Sequence, residues 1–124
     1  MFDADDIYKK YSKVLSKPIY PETAEGWDAL VEDFIEEMNE AAANFKSKSI
    51  TIIDIKEKFG GLRIYVDYNL PSEQISDLEK IVSKYEHLSL KTCSYCGQEY
   101  KQMHKRKGYW DIVCCEECFN KRIK

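Results

Sequence analysis

No stretch of the 124 residues approaches the roughly 18–20 uninterrupted apolar residues of a membrane-spanning helix, so the chain offers no candidate for one. The opening, MFDADDIYKK, is acidic where a secretory leader is basic and then apolar, which points to the cytoplasm and a reducing compartment. Internal repeats and low-complexity segments are missing. Glycine is scarce at five residues, and only Gly60 and Gly61 stand together. No cysteine precedes Cys93, yet five crowd the last quarter: Cys93, Cys96, Cys114, Cys115 and Cys118. In a reducing compartment such a cluster reads as metal-binding rather than disulfide-bonded.

What is present fits one compact domain with a small appendage, since 124 residues are too few for two full cores. The sequence divides into an α+β core over residues 1–90 and a zinc-binding C-terminal module over 91–124 packed on it. The division is also one of charge. Residues 1–90 hold 11 Lys and Arg against 18 Asp and Glu, a balance of −7, whereas residues 91–124 hold 8 against 4, a balance of +4.

Three helices are predicted. DADDIYKKYSKVLSKP has acids in its first turn and lysines in its last, with Pro18 closing it. The second is the clearest: Trp27, Leu30, Val31, Phe34, Ile35, Met38, Ala41, Ala42 and Phe45 recur at three- and four-residue steps, with Thr23 as a cap upstream. Glu32, Asp33, Glu36, Glu37 and Glu40 form its solvated back. The third, capped by Ser72, carries Ile75, Leu78, Ile81, Val82, Tyr85 and Leu88 on its apolar side, with His87 off the stripe as a surface residue.

Between them, EKFGGLRIYVDY poses a choice between a phosphate-cradling loop and a turn. A phosphate loop leads from a strand into a helix N-terminus, whereas here a strand pattern resumes at once, so the glycines read as a turn. Taken as a two-residue loop, Gly60 and Gly61 pair Phe59 with Leu62, Glu57 with Ile64, Ile55 with Val66 and Ile53 with Tyr68 on one apolar face. The other face then pairs Lys58 with Arg63, Lys56 with Tyr65 and Asp54 with Asp67. The Lys56, Lys58, Arg63 and Tyr65 group is a candidate surface for a phosphate or an acidic partner segment, set against an ordinary solvated sheet face.

The tail TCSYCGQEYKQMHKRKGYWDIVCCEECFNKRIK carries the strongest chemical signal. Cys93 and Cys96 form C-x2-C followed by Gly97, and Cys115 and Cys118 form a second C-x2-C after eighteen intervening residues. Each two-residue gap lets both sulfurs converge on one ion about 2.3 Å away, and Gly97 permits the left-handed backbone of a knuckle. Four thiolates leave no open coordination position, so the expected cofactor is structural Zn²⁺. EYKQ and GYWDIV suggest a short hairpin and CEECFNKRIK a brief helix, closer to a treble clef than to a zinc ribbon. Trp110 and Phe119 are expected to pack this module on the core. Cys114 is left over. With His104 as a base it would be a thiol nucleophile, but no third group or oxyanion site accompanies it, and a packed bystander is the favoured reading.

The segments IKEKFGGLRIYVDY, TCSYCG, RKGYW and the closing C-x2-C together resemble a group of small uncharacterised bacterial and bacteriophage proteins. Its members carry a KEKFG-x-LRFY-like segment, a CxxCG, a basic glycine-tryptophan stretch, and a final C-x2-C or C-x2-H. The likeness spans residues 27–118. In that pattern the closing pair begins five places after the tryptophan, which is Cys115 after Trp110 and leaves Cys114 outside the metal set. Ile64, where the group has an aromatic, and Cys114 itself depart from it. The resemblance implies the architecture and no activity.

The expected fold is therefore α+β, with helices packed on a β-hairpin or small antiparallel sheet and a C-terminal four-cysteine module. The leading functional expectation is a non-enzymatic, zinc-binding protein-interaction module, an accessory or inhibitor protein of phage or bacterial origin. The alternative is nucleic-acid binding through Lys101, Lys105, Arg106, Lys107, Lys121 and Arg122, interleaved with aromatics including Trp110. A thiol enzyme at Cys114 comes third.

Overall fold

The computed structural model describes residues 2–99, 104–105 and 113–122, and gives only the backbone of His104, Lys105, Val113, Phe119 and Arg122. Its elements run α1 (Ala4–Lys10), a 3₁₀ turn (Glu25–Trp27), α2 (Asp28–Ala42), β1 (Ile50–Lys58), β2 (Gly61–Tyr68), α3 (Ser72–Ser89), β3 (His104–Lys105), β4 (Val113–Cys114) and α4 (Glu116–Arg122). This is an α+β fold. β1 and β2 form a two-stranded antiparallel sheet, and a second short antiparallel pair joins β3 to β4. No described helix is long and apolar enough to cross a membrane.

α1 starts as its sequence requires, with the Asp3 carboxylate accepting the Asp6 N–H at 3.1 Å and lysines in the last turn. It stops at Lys10, well short of Pro18. The Val14 carbonyl accepts the Ile52 N–H at 2.8 Å, so this segment serves the edge of β1 instead of a further helical turn. Val14 and Leu15 are buried all the same. Thr23 is no cap: its Oγ1 is buried without a hydrogen-bond partner among the described residues, and the 3₁₀ turn intervenes before α2. Pro71, not Ser72, occupies the N-cap position of α3, with no side-chain capping bond.

Apolar spacing sets the packing. Trp27, Val31, Phe34, Ile35, Met38 and Ala42 of the second stripe are buried, and Leu78, Val82 and Tyr85 of α3 face them. Phe34 and Tyr85 meet edge to face, with centroids 5.6 Å apart. Glu37 is more than solvated backing: its Oε1 accepts from Lys84 Nζ at 2.6 Å and from Tyr85 Oη at 2.8 Å, joining α2 to α3.

The hairpin closes one residue earlier than the glycine pair suggests. Phe59 and Gly60 occupy the two loop positions with φ of 55° and 81°, the left-handed pair a tight hairpin with right-twisted strands demands. The Glu57 carboxylate accepts the Gly60 N–H at 3.0 Å. Gly61 is the first residue of β2, and the register runs Lys58 with Gly61, Glu57 with Leu62, Lys56 with Arg63, Ile55 with Ile64 and Asp54 with Tyr65. A bulge at Ile53 then shifts the ladder, so that Ile52 opposes Val66 and Ile50 opposes Tyr68. Ile50, Ile52 and Ile55 are thus the buried isoleucines of β1, whereas Ile53 and Phe59 are exposed at 53% and 68%.

The outer edge of β2 is closed by side chains of α3. Ser89 Oγ accepts the Leu62 N–H at 3.0 Å while donating to the Glu86 carbonyl, and the Glu86 carboxylate accepts the Ile64 N–H at 3.0 Å. Two donors that invite another strand are satisfied within the chain. Ser89 is fully buried. Ser89→Ala strands the Leu62 N–H and is expected to cost about 1–3 kcal/mol in chemical denaturation, with Glu86→Gln, which keeps an acceptor, close to neutral.

Candidate metal centre

Residues 93–97 form a tight knuckle. Gly97 N–H donates to the Cys93 carbonyl at 2.9 Å, Cys93 N–H to the Gln98 carbonyl at 2.9 Å, and Cys96 N–H approaches Cys93 Sγ at 3.5 Å. Gly97 has φ of 79°, where any Cβ is strained. A bridge between Thr92 and Glu99 closes the loop behind it. The second pair arrives from the other side: β4 pairs with β3 through His104 with Cys114 and Lys105 with Val113, and Cys115 and Cys118 flank the start of α4.

This brings Cys93, Cys96, Cys115 and Cys118 together with all ligand atoms within 4.8 Å of one another. Cys96 and Cys115 sulfurs are 3.8 Å apart. Sulfurs at about 2.3 Å from a tetrahedral ion are about 3.8 Å from each other, so the Cys96–Cys115 pair already has that spacing and the whole set is gathered closely enough to share one ion. None of the five cysteines forms a disulfide. Cys93, Cys115 and Cys118 are buried and Cys96 is exposed.

Protons and a cation compete for these sulfurs. Burial raises the Cys93 thiol, but backbone N–H groups of Cys96, Cys115 and Tyr95 outweigh it and hold the pKa down to about 6. Burial, followed by the neighbouring sulfurs, pushes Cys118 up to about 12. A divalent ion at the centre reverses the second effect, because it neutralises the charge that otherwise keeps the protons on.

The knuckle rests on the 3₁₀ turn, a docking invisible in the spacing of the cysteines. Gly26 N–H donates to the Ser94 carbonyl at 2.9 Å, and Trp27 Nε1 donates to the Thr92 carbonyl at 2.9 Å. A Cβ on Gly26 would lie 2.5 Å from the Ser94 carbonyl carbon, and one on Gly97 would lie 2.8 Å from the Gly26 oxygen. The only sequence trace of this contact is a small residue directly before a buried tryptophan.

Cys114 lies outside the four-sulfur set and is fully buried. Burial, then the neighbouring cysteines, pushes its thiol up to about 11, the opposite of a reactive thiol's low pKa and access. The side chain of His104, its expected base, is outside the described residues. His87 sits on the surface with Nδ1 2.8 Å from the Ser83 carbonyl oxygen.

Lys56, Lys58, Arg63 and Tyr65 share the outer hairpin face, though not in the expected pairs. Lys56 stands directly opposite Arg63, its Nζ lies 5.3 Å from the Tyr65 ring centroid, and Lys58 Nζ lies 5.6 Å from that of Phe59. Phe59, assigned to the apolar face by the sequence, joins this group. Of the nucleic-acid candidates, Lys101, Arg106, Lys107 and Trp110 lie outside the described residues, as do the side chains of Lys105 and Arg122. Lys121 is ion-paired with Glu117 at 2.9 Å. Among known proteins, no family model, no curated protein and no solved structure matches the chain.

Proposed function

We propose that the protein is a zinc-stapled interaction module, its tail a treble-clef-like unit, whose hairpin end docks an acidic segment of a protein partner carrying an apolar anchor. One observation carries this reading: Phe59 is 68% exposed while held at φ of 55°, in a loop position where asparagine or glycine costs far less. Its surroundings support it. Lys56 and Arg63 face each other across the strands, a like-charge pairing that weakens a hairpin. Neither they nor Lys58 has an ion-pair partner among the described residues. Asp54 and Asp67 lie farther from the tip, and Glu57 beside it has its carboxylate engaged by the Gly60 N–H, so Lys56, Lys58 and Arg63 leave a net positive charge near the exposed ring. Two aromatic rings and three cations without an ion-pair partner among the described residues suit carboxylates around an apolar residue.

Short peptides rich in Asp and Glu with one leucine or phenylalanine test this, with lysine-rich peptides, DNA and RNA as comparators. Acidic peptides are expected to bind with strong salt dependence and to shift the amides of residues 56–65. Phe59→Asn relieves the left-handed strain, so it should raise stability by about 1 kcal/mol while weakening the acidic peptides severalfold. Lys58→Glu combined with Arg63→Glu should abolish binding. Preference for nucleic acid, with amide shifts in the tail, would replace this reading with the alternative one.

A further inference from the structure

Among the described residues, a cleft of about 450 Å³ lies between the turn after α1 and the turn before β1, at the opposite end of β1 from the hairpin loop. Lys13 and Lys48 line it together with Ser12, Ser16, Ser47 and Thr51, and all but Thr51 of these are exposed to solvent. The rest of the wall is Tyr8 and Leu15, and no carboxylate contributes. That is unusual for a segment whose balance over residues 1–90 is −7, from 11 cationic and 18 acidic side chains. Neither lysine has an ion-pair partner among the described residues.

Backbone bonds fix both walls. Ser49 N–H donates to the Lys46 carbonyl at 3.2 Å, closing the turn, and Ile52 N–H donates to the Val14 carbonyl at 2.8 Å, tying the α1 side to β1. Within the turn Lys48 has φ of 66°. Lys48 is the third residue of this turn, whose geometry sets the left-handed conformation that glycine or asparagine adopts more readily.

We propose that this cleft binds the phosphate group of a small phosphate monoester. Such a group carries a charge between about −1.5 and −2 at neutral pH and three acceptor oxygens, matching two lysines and four hydroxyl-bearing residues. Tyr8 supplies a flat surface for the esterified body. A tetrahedral oxyanion can accept from several hydroxyl donors at once, more than a planar carboxylate can, which separates this site from the hairpin face.

Amide chemical shifts of the full chain, titrated with inorganic phosphate and phenyl phosphate against sodium chloride at matched ionic strength, test it. Saturable shifts at residues 12–16 and 47–51 are expected, with phenyl phosphate binding more tightly than phosphate. Lys13→Gln and Lys48→Gly should each weaken binding by about fivefold or more, and the glycine accepts the left-handed backbone, so the second variant stays folded. Shifts that chloride reproduces, shifts confined to residues 56–65, or binding that survives both substitutions together would overturn the proposal. Binding of inorganic phosphate with no gain from the phenyl group would overturn the monoester assignment.

Discussion

Chelation of the purified, reduced protein is expected to release a single divalent ion per chain and to strip exchange protection from the amides of residues 92–99 and 113–122, leaving α2, β1, β2 and α3 protected. The asymmetry follows from where the buried apolar groups lie. One cluster draws on α1, α2, the hairpin and α3, while the other consists of Cys93, Cys114, Cys115 and Cys118 with Tyr95 beside it. A cluster of cysteines and one partly buried ring removes little apolar area from water, at about 25 cal/mol per Å². Ordering each backbone residue costs about 1–2 kcal/mol, so the metal must supply most of the difference, and structural zinc sites bind with apparent free energies of about 10 kcal/mol or more.

Cys93→Ser, Cys115→Ser and Cys118→Ser should each reproduce the chelated state. Cys114→Ser should keep the metal and lose only about 1–3 kcal/mol for a hydroxyl in a site built for a thiol. Because thiols must shed protons to bind, release should also follow acidification, and elemental analysis across a pH series measures both. Retained protection in a metal-free chain, or metal lost from the Cys114 variant alone, would show that the four sulfurs do not hold the tail.

Periodicity and spacing made much of this architecture legible. Residues three and four apart on α2 and α3 are the ones that interlock, because helical geometry converts sequence distance directly into a common face. The two C-x2-C pairs were equally readable, since the spacing that lets two sulfurs meet one ion is local. The hairpin register was not. Two adjacent glycines satisfy a left-handed requirement in either of two frames, and the frame chosen places Phe59 in the loop, against its own preference. The bulge at Ile53 left no mark either, because ITIIDI reads as strand in both phases and tertiary packing decides which isoleucines turn inward. Ser89 and Glu86 belong to the same class: their role on the edge of β2 depends on how α3 lies against the sheet.

Gly26→Ala should be severely damaging, costing about 3 kcal/mol or more in chemical denaturation of the metal-loaded chain. The added Cβ would sit 2.5 Å from the Ser94 carbonyl carbon and 2.6 Å from the oxygens of Cys93 and Ser94, all backbone atoms that no rotamer change can move. Relief requires the knuckle and the 3₁₀ turn to separate. That separation lengthens the Gly26 N–H to Ser94 bond and the Trp27 Nε1 to Thr92 bond, each worth about 1 kcal/mol when buried. Trp27→Phe removes only the second of these and should cost less. Gly97→Ala meets the same interface from the opposite side, 2.8 Å from the Gly26 oxygen, and adds the strain of φ at 79°. If docking and metal retention are coupled, both alanine variants should also hold the ion more weakly, since whatever stabilises the loaded knuckle raises its affinity. A Gly26→Ala protein with wild-type stability and wild-type metal affinity would mean that the knuckle does not rest on the 3₁₀ turn, and that the metal organises the tail without reference to the core.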